Sequence, residues 1–264
     1  MATTAAGPGL LEGALRRDRI VLASGLAIVA ALAWGYIVHM ARMMSPNAAM
    51  AMPMSGGSGA PALRWLIPMW IVMMVAMMLP SAAPTILLFA SVARRRRTQG
   101  VPAASAAVFA LGYLLVWAAY ATVAAAAQWK LHELSLLSPA MASASPWLGG
   151  GLLIAAGIYQ WMPAKDACLM HCRSPLGFFS SEWREGALGA LVMGARHGTF
   201  CVGCCVLLMA LLFVAGVMNL LWVAAIAAFV LLEKLLPRRF QIRWAAGVLL
   251  VVWGVVVLAT GLPA

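Results

Sequence analysis

Charged residues are scarce in this sequence. Only 9% of the 264 residues are Asp, Glu, Lys or Arg, whereas soluble domains typically contain about 25%. Hydrophobic residues make up 64% of the chain. This composition excludes an ordinary soluble globular domain, because too few polar side chains are present to cover its surface. The sequence therefore predicts an all-α, polytopic membrane protein.

Acidic residues are the scarcest charged group. The chain has 7 Asp and Glu residues against 18 Lys and Arg residues, which gives a net charge of +11. In a soluble protein this excess would indicate a nucleic-acid partner. In a membrane protein, basic residues gather in the loops that stay in the cytoplasm. We therefore expect the lipid bilayer, and no nucleic acid, as the partner of this charge.

Two further signals are missing from the sequence. It has no GxxxxGK[ST] nucleotide-binding loop, which argues against ATP-driven pumping by this chain. No small-residue cleavage site follows the first long apolar run, so we expect that run to stay in the membrane as a helix.

Seven apolar segments are long enough to predict membrane-spanning helices. They cover about residues 20–40, 65–91, 102–128, 147–162, 188–217, 220–236 and 242–261. Prolines at 80 and 84 are expected to interrupt the second segment, either opening a passage or merely kinking it. Residues 20–264 are thus predicted to form one transmembrane domain after a cytoplasmic arm, residues 1–19.

The basic residues predict an orientation for these helices. Most of them lie in loops that seven spans would place on one side, at residues 16–19, 94–97, 165–184 and 234–243. The opposite loops hold only Arg42, Arg64 and Lys130. This asymmetry predicts a cytoplasmic N-terminus. It also places a Met-rich loop, 41–64, outside and a Cys-containing loop, 163–186, inside.

The richest chemical motif lies in the fifth segment. His197, Cys201, Cys205 and Met209 follow one another at steps of four, and Cys204 lies beside them. On a helix, residues at this spacing share a face. Thiolate, imidazole and thioether groups together are ligands that soft metals prefer, which predicts Cu(I), or otherwise Zn(II). The alternative is close helix packing by small residues, as in the Gly194-xxx-Gly198 pair.

The inner loop adds further candidate ligands. Cys168 and Cys172 are separated by four residues, and His171 lies beside them. Thiols stay reduced in the cytoplasm, and an odd total of 5 cysteines argues against a purely structural set of disulfides. We expect the nearby Lys165 and Arg173 to lower the thiol pKa values.

Methionines supply a second group of candidate ligands. Most of the 18 methionines lie between Met40 and Met78. Met50, Met52 and Met54 lie in the polar outer loop, whereas Met73 and Met77 repeat at helical spacing in the second segment. Thioether sulfur binds Cu(I) without losing a proton. The alternative for the second segment is packing by a flexible apolar side chain.

Glu233 and Lys234 end the sixth segment, and we interpret them as an ion pair at the cytoplasmic interface. Together with the other motifs they resemble an uncharacterised bacterial family of predicted metal-binding integral membrane proteins. The resemblance covers about residues 65–240. It is carried by Met73–Pro80, by Lys165 with Cys168 and Cys172, by Arg196-His197-Gly198 with Cys201-Val202-Gly203-Cys204-Cys205, and by Glu233-Lys234. It implies metal binding but no particular reaction.

These observations lead to one hypothesis and two rivals. The hypothesis is a protein of the bacterial inner membrane that binds Cu(I), for uptake or for delivery to a metallochaperone or a membrane-complex partner. In the first rival, Cys201 and Cys204 form a CxxC couple that exchanges electrons with quinone. In the second, the chain is a structural or assembly subunit of a larger membrane complex. Metal binding rather than catalysis is expected.

Overall fold

The computed structural model describes residues 8–43, 63–100, 104–138, 142–236 and 242–261, with only the backbone described for residues 8–18. Met50, Met52 and Met54 lie outside the described residues. Within those residues the chain is all-α. The helices are α1 (Pro8–Met43), α2 (Leu63–Thr98), α3 (Ala106–Glu133), α4 (Pro146–Tyr159), α5 (Pro163–Arg173), α6 (Pro175–Glu182), α7 (Gly186–Ala210), α8 (Leu212–Ala215), α9 (Leu220–Leu235) and α10 (Ile242–Thr260).

Five stretches of helix are long and apolar enough to cross a membrane: Arg19–Met43, Leu63–Thr98, Ala106–Glu133, Gly186–Ala215 and Ile242–Thr260. They correspond to five of the seven predicted spans. The other two predicted spans are the shorter helices α4 and α9, of 14 and 16 residues. At about 1.5 Å per residue, such helices are shorter than a hydrocarbon core of about 30 Å.

Helix α2 is continuous over 36 residues although it contains Pro68, Pro80 and Pro84. The prolines therefore do not break the helix, and the structure supplies a reason at Pro80. Pro80 has no N–H to donate to the carbonyl group of Ala76, four residues earlier. The indole Nε1 of Trp34 on α1 donates to that carbonyl oxygen at 3.1 Å. A side chain from another helix thus supplies the missing donor, as membrane helices require.

The inner loop is itself helical and folds back onto the bundle. Residues 163–182 form the two short helices α5 and α6, each beginning with a proline, which suits the first turn because its N–H is unpaired there. Helix α5 packs against α7, which also packs against α3, while α2 packs against α3 and contacts α9. Helices α2, α3, α5 and α9 therefore surround the cysteine-rich part of α7.

Candidate functional site

Three buried thiols lie on one side of α7. Cys201, Cys204 and Cys205 are each at most 1% exposed. The thiols of Cys204 and Cys205 donate to the backbone carbonyl oxygen of Cys201 at 3.1 and 2.9 Å. This is the back-bonding that polar side chains three and four residues along a helix make. The spacing in the sequence correctly predicted that these three side chains converge.

Cys172 of α5 brings a fourth thiol to the same place. Its thiol lies beside those of Cys201 and Cys204 and interacts with both, and all five cysteines of the chain are free. Interaction with these two thiols, and then burial, raises the pKa of the Cys172 thiol well above its usual range. We call Cys172, Cys201, Cys204 and Cys205 the thiol cluster.

Two polar side chains from other helices contact Cys201. The ammonium group of Lys234, on α9, donates to Cys201 Sγ at 3.0 Å and to Ser81 Oγ of α2 at 2.8 Å. The phenol oxygen of Tyr113, on α3, lies 3.2 Å from the same sulfur and donates to the carbonyl oxygen of Met78 at 3.2 Å. Ser81 also donates to Met78 O, at 2.9 Å. The cluster is therefore bordered by one cation and a short polar network.

His197 lies one turn before Cys201 on α7 and is 2% exposed. Its ring is surrounded by those of Phe109, Tyr113 and Phe178, with centroid distances of 6.1, 5.8 and 5.7 Å. The buried Nδ1 atom has no hydrogen-bond partner among the described residues. Buried polar atoms are normally paired, so this nitrogen is suited to an additional ligand.

The remaining predicted ligands make no hydrogen bond to the thiol cluster in the described part of the chain. Cys168 is half-buried and its sulfur packs against Gly203. His171 is exposed and stacks on Phe200, with ring centroids 3.9 Å apart. Three predicted methionine ligands are buried in the core: Met73, Met77 and Met209.

The cluster is not a preformed chelate. In the described part of the chain, no group of three or more His, Cys, Asp or Glu side chains could hold a metal ion as it stands. The thiols of Cys204 and Cys205 instead donate to the Cys201 carbonyl oxygen, and the thiols of the cluster contact one another. Metal ions displace thiol protons when they bind, so a metal here would replace these hydrogen bonds.

The predicted ion pair between Glu233 and Lys234 is wrong. Lys165 of α5 reaches Glu233 instead, with its Nζ atom 2.8 Å from Oε1 and 2.9 Å from Oε2, and both side chains are at most 1% exposed. The Lys165 ammonium also donates to Gln160 Oε1. Consecutive residues on a helix point about 100° apart, which lets Lys234 reach Cys201 while Glu233 faces α5.

The predicted effect of Lys165 and Arg173 on the loop thiols is also wrong. Lys165 is engaged by Glu233, and Arg173 Nε donates to the backbone carbonyl oxygen of Glu233 at 2.8 Å. Burial, and then the neighbouring Cys204, raise the pKa of the Cys168 thiol. Neither thiol of this loop therefore has a lowered pKa.

Sequence reasoning missed Tyr113 and Ser81, and it assigned Lys234 a different role. Tyr113 and Ser81 each stand between apolar residues in the sequence, and a motif search gives no weight to isolated residues. One general signal was available for Lys234, because an ionisable residue within an apolar helix is rare and functional by default.

The comparisons with known proteins gave one match. A family model named PpoB2 and described as a copper chaperone matches residues 67–257, which is most of the chain and includes every residue of the thiol cluster. No curated protein matches, and no solved structure matches.

Proposed function

Since the chain belongs to this family of copper chaperones, we propose that it binds Cu(I) at the thiol cluster and delivers the ion to a partner protein. The convergence of four thiols from α5 and α7 is the observation that carries the proposal. Soft thiolate ligands favour Cu(I), and zinc is the second choice. The unpaired Nδ1 of His197, one turn away, supplies a further ligand.

The proposed site is placed in a membrane. We propose that α4 and α9 complete seven spans, with the N-terminus in the cytoplasm and the chain in the inner membrane. The excess of Lys and Arg in one set of loops supports this orientation. It puts α5, and with it Cys168 and His171, on the cytoplasmic side.

We further propose a route for the ion across this arrangement. Met50, Met52 and Met54 of the outer loop collect copper, and Met73 and Met77 of α2, together with Met209 of α7, offer thioether ligands within the core. The half-buried Cys168 and the exposed His171 lie where a metallochaperone or a subunit of a membrane complex could take the ion over. Exchange between soft ligands allows such a transfer when each site holds the ion loosely.

Replacing one cluster thiol tests the site. Cys201→Ser, Cys204→Ser and Cys172→Ser should each weaken Cu(I) binding by at least about tenfold, because even outer-shell changes at metal sites cost about 10–100-fold in affinity. Affinity is measured on purified protein by competition with a chromogenic Cu(I) chelator under anaerobic conditions.

Cys168→Ser is the matched comparison, since its thiol lies outside the hydrogen-bonded cluster and should cost less. Wild-type affinity in all three cluster variants would rule out the thiol cluster as the copper site. Reduction of quinone by copper-free protein would instead favour the rival function, a thiol oxidoreductase.

Reporter fusions test the orientation. A reporter that is active only in the periplasm should be active after Ala264 and inactive after Gly100, because seven spans place these positions on opposite sides. The reverse pattern would invert the direction of the proposed route. Equal activity at both positions would contradict an odd number of spans between them.

A further inference from the structure

Lys234 places a positive charge directly beside the sulfur atoms. Its Nζ atom lies 3.0 Å from Cys201 Sγ, and Ser81 Oγ fixes the ammonium group from the other side at 2.8 Å. The neighbouring charges of Lys165 and Glu233 neutralise each other within their own ion pair. Arg173 binds the backbone carbonyl oxygen of Glu233, so Lys234 is, among the described residues, the cation that contacts a sulfur atom of the thiol cluster.

We infer that Lys234 makes the thiol cluster selective for a singly charged soft ion, Cu(I), over Zn(II). The inference rests on the proposed function, since it concerns the ion bound at that site. Thiolates alone do not provide this selectivity, because they bind both metals well.

The selectivity follows from the balance of charges at a buried site. Two thiolates, the Lys234 ammonium and one Cu(I) ion sum to zero net charge. The same groups with Zn(II) carry a net charge of +1. An unbalanced charge is costly in an apolar interior and within a membrane. Zinc could restore the balance only by deprotonating a further thiol, whereas copper needs no such step.

The surroundings keep the ammonium group in place. Lys234 is half-buried on α9, and its hydrogen bond to Ser81 continues to the Met78 carbonyl oxygen, which Tyr113 also contacts. Moving the ammonium away from Cys201 would break this network. Its charge therefore stays at the site when a metal enters.

Metal competition tests the inference. Purified protein is loaded under reducing, anaerobic conditions with equal amounts of Cu(I) and Zn(II), and both metals are quantified by mass spectrometry. Lys234→Gln removes the charge and should raise the bound Zn(II)/Cu(I) ratio by about tenfold or more, since one nearby charge interacts strongly in a site of low dielectric. Lys234→Arg keeps the charge and should keep the preference for copper.

A second pair of variants leaves Lys234 intact. Ser81→Asp puts a carboxylate beside the ammonium group and should also raise the bound Zn(II)/Cu(I) ratio. Ser81→Asn has the same shape as that variant but no charge, and it should leave the ratio unchanged. This pair decides the question if Lys234→Gln does not fold, as judged by size-exclusion chromatography.

The outcomes separate the two proposals. Wild-type protein that binds neither metal would overturn the proposed function itself. Wild-type protein that binds copper, with an unchanged ratio in Ser81→Asp and in any folded Lys234→Gln protein, would overturn the role of Lys234 alone.

Discussion

Gly194→Ala is expected to destabilise the protein strongly, because no space exists for a methyl group where α7 crosses α3. A Cβ atom at Gly194 would overlap the backbone carbonyl oxygen of Phe109 and lie 2.9 Å from its carbonyl carbon. Gly112, on α3, meets the backbone of Leu191 in the same way. Backbone atoms on both sides cannot rotate away, so the helices must separate.

The expected cost is at the upper end of the about 1–3 kcal/mol typical of overpacking, or above it. Separation would also reach the site, since Tyr113 of α3 contacts Cys201 of α7. The free energy of unfolding in detergent and the affinity for Cu(I) should therefore fall together.

Gly151→Ala is the matched control. This glycine also lies in a helix, α4, but a Cβ atom there would have nothing within 4 Å. Alanine should be neutral or stabilise the helix by about 0.5–1 kcal/mol, because glycine loses more backbone entropy on folding. Equal stability of Gly194→Ala and Gly151→Ala would refute the close contact between α3 and α7.

Helix packing and metal binding were alternatives for α7 in the sequence, but their residues occupy different positions in the structure. Gly194 and Gly198 pack against α3, whereas the cysteines meet α5 and α9 and touch α3 only through the Tyr113 hydroxyl group. Local spacing predicted both patterns, because helical periodicity decides which residues share a face. Spacing alone could not show which neighbouring helix each face of α7 contacts.

The missed contacts all depend on residues far apart in the chain. Lys165 and Glu233 are 68 positions apart, and Lys234 is 33 positions from Cys201. Adjacent opposite charges suggested a local pair, but side-chain direction on α9 sends them to different partners. The fold class followed from composition. The partners of Lys165 and Lys234 follow only from how α5 packs against α7 and α9.

Lys165→Met is the second change with a large expected effect. The Lys165–Glu233 pair is almost completely buried, with side chains 0% and 1% exposed. Removing the ammonium group leaves the Glu233 carboxylate without its closest cation. Breaking a buried pair in this way typically costs about 3–5 kcal/mol, a large share of an ordinary protein's total stability. Thermal unfolding of the purified protein in detergent measures the loss.

A double variant shows whether the pair or the packing is responsible. Replacing both members by apolar residues, Lys165→Met with Glu233→Leu, should recover most of the lost stability, since a buried pair and a well-packed apolar pair are often nearly equal. Glu185→Gln is the exposed control. Glu185 lies 3.8 Å from Arg96, with side chains 62% and 38% exposed, and such pairs contribute at most about 1 kcal/mol. A double variant no more stable than Lys165→Met would show that the loss came from packing, and that Glu233 does not depend on Lys165 for its charge.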